Sequence, residues 1–306
     1  MNIKPINRNS ICFLADTKTI NSETGEYKDP LMRWPLRGAA FTNEIGEALR
    51  PLIGKYATLT WAPALLYIGA DIYDKYKNDQ TEYSPDSKRC LKQACFQGLA
   101  SIILPIIAVK GGQNLFSILG LISRENLTFN AQEDIVNLAQ QFVANGKLHA
   151  YKNDSEACVK EFIDIIHNNI DYKDNESLMN NHLKKIIGKC KLNTKENIEK
   201  YATQNITKLI RFRKQLLEPS DNMKKSAFYE KYKYALELGQ TKNVAVKSTL
   251  NKYLSSKTMK GRFIKTSGGF LALGLAIKPI DYFVEHVLIG KVIGPGIDKT
   301  TKRPVA

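Results

Sequence analysis

The chain is poor in residues that do chemistry. It holds four histidines and five cysteines in 306 residues, and none stands in a pattern that chemistry uses. Cys12, Cys90, Cys95, Cys158 and Cys190 include no Cys-x-x-Cys pair, so zinc and dithiol redox sites lack their usual spacing. Their odd number reads as reduced thiols in a reducing compartment. A di-metal carboxylate centre needs Glu-x-x-His pairs facing further carboxylates, and the chain contains no Glu-x-x-His. Glu285 and His286 are adjacent and point about 100° apart on a helix, which separates them as ligands. His149, His167 and His182 sit in no motif. No Gly-x-Ser-x-Gly elbow and no phosphate-cradling loop occurs. Ser267-Gly268-Gly269 lacks a following Lys-Ser or Lys-Thr and reads, with Gly274, as small residues that let helices approach closely. These absences predict a protein without catalytic residues, metal or cofactor.

Acidic charge is also in deficit. Lys and Arg number 45 against 30 Asp and Glu, a net charge of +15. Such a balance favours phospholipid headgroups, nucleic acid or an acidic protein, and its sign does not choose among them. Long apolar runs are missing too. Tyr56 to Ala70 carries no charge, yet its 15 residues span about 22 Å as a helix, short of a roughly 30 Å hydrocarbon core. A second stretch, Gln93 to Val109, has 17 uncharged residues. The third, Thr266 to Ile277, extends through Tyr282, Phe283 and Val284 but is interrupted by Lys278, Asp281, Glu285 and His286. Hydropathy therefore leaves membrane span and buried core helix both open. Residues 1–30 read as a flexible leader whose Asp16, Glu23 and Glu26 fit neither a cleavable signal nor an acid-poor transit peptide.

What the chain does have is helical periodicity. Phe41, Ile45, Leu49 and Leu52 recur at steps of four, four and three, which predicts an amphipathic helix with Asn43, Glu44, Glu47 and Arg50 along its other edge. Pro51 is expected to stop or bend it at Arg50. A second helix is expected from Tyr56, ending in Asp71 and Asp74, and Lys110-Gly111-Gly112 is expected to interrupt the next. Residues 124–262 differ in kind, with 25 Lys and Arg against 16 Asp and Glu. Start signals follow one another at Asn130 (with Glu133), Asp154, Asp174, Thr194 and Ser220, and stops at Gly146, Gly188, Pro219 and Gly239. This predicts a bundle of five or six helices.

The motif Asn43-Glu44-Ile45-Gly46-Glu47-Ala48-Leu49-Arg50, followed by Ala70-Asp71-Ile72-Tyr73-Asp74-Lys75, resembles the mitochondrial fission process protein family. Gln97-Gly98-Leu99-Ala100-Ser101-Ile102-Ile103-Leu104-Pro105 is similar to that family's second apolar segment. Lys278-Pro279-Ile280-Asp281 resembles its C-terminal motif, where the family tends to carry His before the Pro. The likeness covers about residues 37–122 and 262–294. It implies a small protein of an inner membrane, associated with membrane integrity and fission. The family's connection is much shorter where this chain has 124–261, so that region inherits no role.

The fold expected is all-α: a membrane-associated helical core of residues 31–123 and 262–294, with a basic helical bundle, 124–261, inserted and a tail at 295–306. Arg50 and Lys278 are the expected counter-ions of Glu44, Glu47, Asp71, Asp74, Asp281 and Glu285, because charges beside apolar helices are costly unless paired. The function expected is non-enzymatic membrane organisation through lipid and protein contacts, in a bacterial or mitochondrial inner membrane. Two alternatives stand beside it. One is a soluble basic scaffold binding nucleic acid or an acidic partner. The other is a small transporter using Asp71, Asp281 and Glu285 as ion ligands. Lys184, Lys185, Lys189 and Lys191, and Lys208, Arg211, Arg213 and Lys214 around Phe212, are the candidate contacts to anionic headgroups or nucleic acid.

Overall fold

Every regular element among the described residues is helical. The structure, a computed structural model, describes residues 31, 33–77, 87–122, 125–151, 154–170 and 193–300. A short helix α1 (Leu36–Ala39) leads into α2 (Thr42–Ile53). Pro51 lies inside α2 rather than ending it. A proline in a last turn forfeits one backbone bond, and the chain turns instead at Gly54, whose φ of 58° belongs to the left-handed region that glycine favours. The 3₁₀ stretch Gly54–Thr60 follows, so α3 begins at Trp61 rather than Tyr56 and runs to Lys77.

Helix α4 (Ser87–Phe96) passes through π-helical turns, Gln97–Ile103, into α5 (Leu104–Ser117) and a 3₁₀ end, Ile118–Ile122. The break expected at Gly111-Gly112 does not occur, since both lie within α5. Each mid-helix glycine costs roughly 1 kcal/mol, less than stranding four carbonyls at a helix end. Next come α6 (Phe129–Ala144), α7 (Lys147–Ala150), α8 (Ser155–Asn169), α9 (Lys195–Leu217), α10 (Asp221–Lys224) and α11 (Ala227–Glu237). The long α12 (Lys242–Phe283) absorbs Pro279 and continues through π turns, Val284–Ile293, to α13 (Gly294–Thr300). The charges that break the apolar run at Lys278 and Asp281 leave the helix itself continuous.

Three helix starts fall on the expected residues. Asp154, Thr194 and Ser220 accept from the backbone N–H groups of Ala157, Asn197 and Met223. The first start is Thr128 instead of Asn130: Thr128 Oγ1 accepts from Ala131 N, and Asn130 N donates to Ser117 Oγ at 2.8 Å. Ser226 caps α11, a start the periodicity missed. Gly146 and Gly239, with φ of 73° and 80°, follow α6 and α11. Asp174 and Gly188 lie outside the described residues.

Contacts divide the chain into two compact units. One combines residues up to Gly112 with those from Gly269 onward, and the other is Gln113–Gly268. The division falls inside α5 and inside α12, away from the 124 and 261 boundaries drawn from composition, because charge changes along these helices without ending them. In the 113–268 unit α8 and α6 pack on α9, burying Ile135, Phe142, Phe162, Ile166, Ile198, Ile206, Leu209, Leu250 and Leu254 in one apolar core. Phe142 and Phe162 meet edge to face at 5.4 Å. Asn193, held at φ 44°, accepts from Thr128 N at 3.0 Å and donates to Thr128 Oγ1 at 3.2 Å, latching the entry of α9 to the start of α6. Among the described residues of the other unit the apolar cluster is Ala48, Val109 and Leu273, with Ile277 against it.

Candidate functional site

That small cluster is explained by what lies beside it. In α2 the buried residues are Asn43, Glu44, Gly46, Glu47 and Ala48, whereas Ile45 is 39% exposed and Leu49 and Leu52 are half-buried. The periodicity marks the apolar face of α2 without saying which face turns inward, and it is the polar edge that is buried. In α3 Asp71 and Asp74 are buried while Leu65 and Leu66 are 50% and 75% exposed. Ile103, Ile107, Leu271, Leu275, Tyr282 and Val292 of the same unit are also exposed. Polar groups inside and large apolar side chains outside reverse the usual order for a protein in water.

The buried polar groups answer one another. Glu47 Oε2 accepts from Arg50 Nε at 2.8 Å. Its Oε1 accepts from Arg50 Nη2 and, at 3.0 Å, from Trp61 Nε1 of α3. Asp71 Oδ2 accepts from Gln93 Nε2 and, at 2.6 Å, from Gln97 Nε2. Gln97 Oε1 in turn accepts from Ser101 Oγ at 2.6 Å. Lys75 Nζ reaches Asp74 at 3.3 Å and Asp71 at 3.7 Å. Asn43 Nδ2 donates to the Ser101 carbonyl at 2.7 Å, tying α2 to the π turns. Such bonds are the compensation a buried charge requires.

Gly46 belongs to the site by geometry. A Cβ there would stand 1.7 Å from Thr60 Oγ1 and 3.1 Å from the Ala57 carbonyl, so α2 can lie on the following 3₁₀ stretch only without a side chain. Gly274, expected to serve close packing, has nothing within 4 Å.

Of the expected counter-ions, Arg50 pairs with Glu47. Lys278 is exposed, whereas Lys75 meets both Asp71 and Asp74, and Gln93 and Gln97 meet Asp71. Pro279 is exposed and Asp281 half-buried. Gln93, Gln97 and Ser101 were missed, although polar residues four apart inside an apolar run are a legible stripe. In this unit two buried acceptors of the described residues stay unanswered, Asn43 Oδ1 and Glu44 Oε2.

The basic residues have mixed fates. Lys208, Arg211 and Lys214 are exposed on α9, and Arg213 Nη2 lies 3.1 Å from His149 Nδ1. Phe212 is not free to stack on a base, because it is stacked on Tyr253 at 4.6 Å and edge-on to Phe228 at 5.7 Å. Lys184, Lys185, Lys189 and Lys191 lie outside the described residues. Among the described residues no group of three or more His, Cys, Asp or Glu is placed to hold a metal ion. Cys158 is buried, and burial first, then the Glu161 charge, pushes its thiol up to about 11, which keeps it protonated and unreactive. Comparison with protein-family models, with curated proteins and with solved structures finds no match to this chain.

Proposed function

We propose that this chain is a non-enzymatic integral membrane protein that organises or divides a membrane through lipid and protein contacts. The observation that carries the reading is the reversed unit, with Asn43, Glu44, Glu47, Asp71 and Gln97 buried beneath exposed leucines, isoleucines and aromatics. In water such a surface is costly; against acyl chains it is the expected one. Among the described residues one helix, Lys88–Gly120, is long and apolar enough to cross a membrane, and only 22% of its most apolar stretch is buried. Its 33 residues span about 50 Å, more than a bilayer's hydrocarbon thickness. The apolar part of α12 and the π turns after it, from about Gly269 to Ile293, is the second segment read as lying in lipid.

The resemblance of residues 43–50, 70–75, 97–105 and 278–281 to the mitochondrial fission process proteins supports the same reading and adds an inner-membrane location. Exposed Lys208, Arg211 and Lys214 supply the contact to anionic headgroups, at about 1 kcal/mol for each charge near the surface. Phe212's place in an aromatic cluster argues against the nucleic-acid alternative, which relies on free aromatic faces.

Fractionation tests this. The full chain is expected to stay in the pellet after alkaline carbonate washing of membranes and to be released by detergent. Recovery in the carbonate supernatant would contradict the proposal.

A further inference from the structure

Helices α11 and α12 form a hairpin inside the 113–268 unit. Gly239, at φ 80°, caps α11: its N–H donates to the Leu236 carbonyl at 2.9 Å, and Gln240 N donates to the Ala235 carbonyl at 3.1 Å. That left-handed cap turns the chain back into α12. At the far end of the hairpin Phe228 meets Tyr253 edge to face at 5.7 Å. Between these two fastenings lies a groove of about 170 Å³.

The groove is apolar at one end and basic at the other. Lys231, Tyr234 and Leu238 line it from the α11 side, at steps of three and four that share one helix face. Ser248 and Lys252 line it from α12. Leu238 stands at the turn, whereas Lys231 and Lys252 stand at the aromatic end, with Lys231 Nζ 6.0 Å from the Phe228 ring centre. The helical rise from Lys231 to Leu238 is about 10 Å. Tyr234 and Leu238 are each 62% exposed, in a unit that gathers its other apolar side chains around α9. Large apolar side chains exposed next to one another mark a contact surface, and tyrosine is a frequent anchor in such surfaces. No acid lines the groove. Glu237 reaches Lys233 at 3.6 Å instead, and among the described residues neither Lys231 nor Lys252 is in a salt bridge.

We propose that this groove docks an acidic, hydrophobic segment of a partner protein, its apolar side chains against Tyr234 and Leu238 and its carboxylates at Lys231 and Lys252. The volume suits a side chain or two and lies below the roughly 300–1,000 Å³ of a small-molecule site. A second copy of the chain using the same face would bring no acid to the two lysines, since none lines it. Complementary charge then sets which segments dock and how fast, and the apolar end holds them. The face belongs wholly to the 113–268 unit, so the assignment stands apart from the lipid reading of the other unit.

Selection from a displayed library of random peptides on the full chain, in whichever preparation holds it, membrane or solution, tests this. Counter-selection against Leu238→Ser removes peptides held elsewhere, and Tyr234→Ser repeats it at a position away from the α11 cap. The surviving peptides are expected to combine leucine or aromatic residues with aspartate or glutamate. The most frequent survivor, carrying a fluorescent label, should bind about tenfold or more weakly to Lys231→Glu combined with Lys252→Glu. It should bind unchanged to Lys208→Glu combined with Lys214→Glu, which removes the same charge from exposed positions on α9. Circular dichroism reports that each variant keeps its helices. Survivors without acids, no survivors at all, or equal weakening in the two charge-reversed variants would overturn the inference. Capture of phosphatidylglycerol vesicles through Lys231 and Lys252 in place of any peptide would make the face a lipid contact and overturn it too.

Discussion

Gly46 shows how a single missing side chain holds two elements together. Gly46→Ala places a methyl group inside Thr60, so α2 and the Gly54–Thr60 stretch must separate. The expected loss is about 2–4 kcal/mol, in the range of overpacked or strained sites. Gly69→Ala, with nothing within 4 Å of the added atom, is expected to be neutral or to gain up to about 1 kcal/mol. Equal thermal stability of the two variants in detergent would disprove the difference. At the same scale, Lys257 is a half-buried ammonium in the 113–268 unit. Its Nζ donates to Asn205 Oδ1 at 2.8 Å and lies 4.9 Å from the Tyr253 ring centre. Burial first, then the Lys208 charge, lowers it from 10.5 to about 8. Between those values the unfolded chain holds the proton and the folded chain has released it, so stability rises with pH from about 8 to about 10.5. Lys257→Met should remove that rise and stabilise the protein by about 1–2 kcal/mol at neutral pH, discounted for partial exposure. Denaturant titrations at pH 7 and pH 10 measure both effects.

Helices α6 and α9 are joined by the Thr128 and Asn193 exchange as well as by their apolar faces. Asn193→Ala removes two hydrogen bonds and a residue suited to its positive φ, at a cost of about 1–3 kcal/mol. Amide exchange should accelerate first at the N-terminal turn of α6, and acceleration confined to α11 would refute the latch. This element scale is also where the sequence was most readable. Asp154, Thr194 and Ser220 declared their helices because a cap is a local bond between a side chain and an amide three residues on. Pro51 and the Gly111-Gly112 pair misled, since whether a helix breaks depends on what its broken carbonyls would find. The inward face of α2 was not legible for a different reason. Phe41, Ile45, Leu49 and Leu52 state which side is apolar, and only the surroundings state whether apolar means in or out. The carboxylates of the candidate site were visible as a motif, while the donors Trp61, Gln93 and Gln97 came from helices distant in sequence.

At the scale of the whole molecule, two units of opposite construction share one chain. Residues 113–268 bury Phe142, Phe162 and their neighbours around α9, as a protein in water does. The unit containing α2 and α3 buries its acids and displays Leu66, Ile107 and Leu275, which are 75%, 61% and 70% exposed. The proposal rests on that second surface touching lipid. Single nitroxide labels at positions 66, 107 and 275 of the otherwise cysteine-free full chain in liposomes measure it directly, by relaxation from lipid-soluble oxygen against a water-soluble nickel chelate. Oxygen is predicted to dominate at all three, while a label at exposed Lys208 should favour nickel. Nickel dominating at 66, 107 and 275 would show these side chains in water and contradict the account.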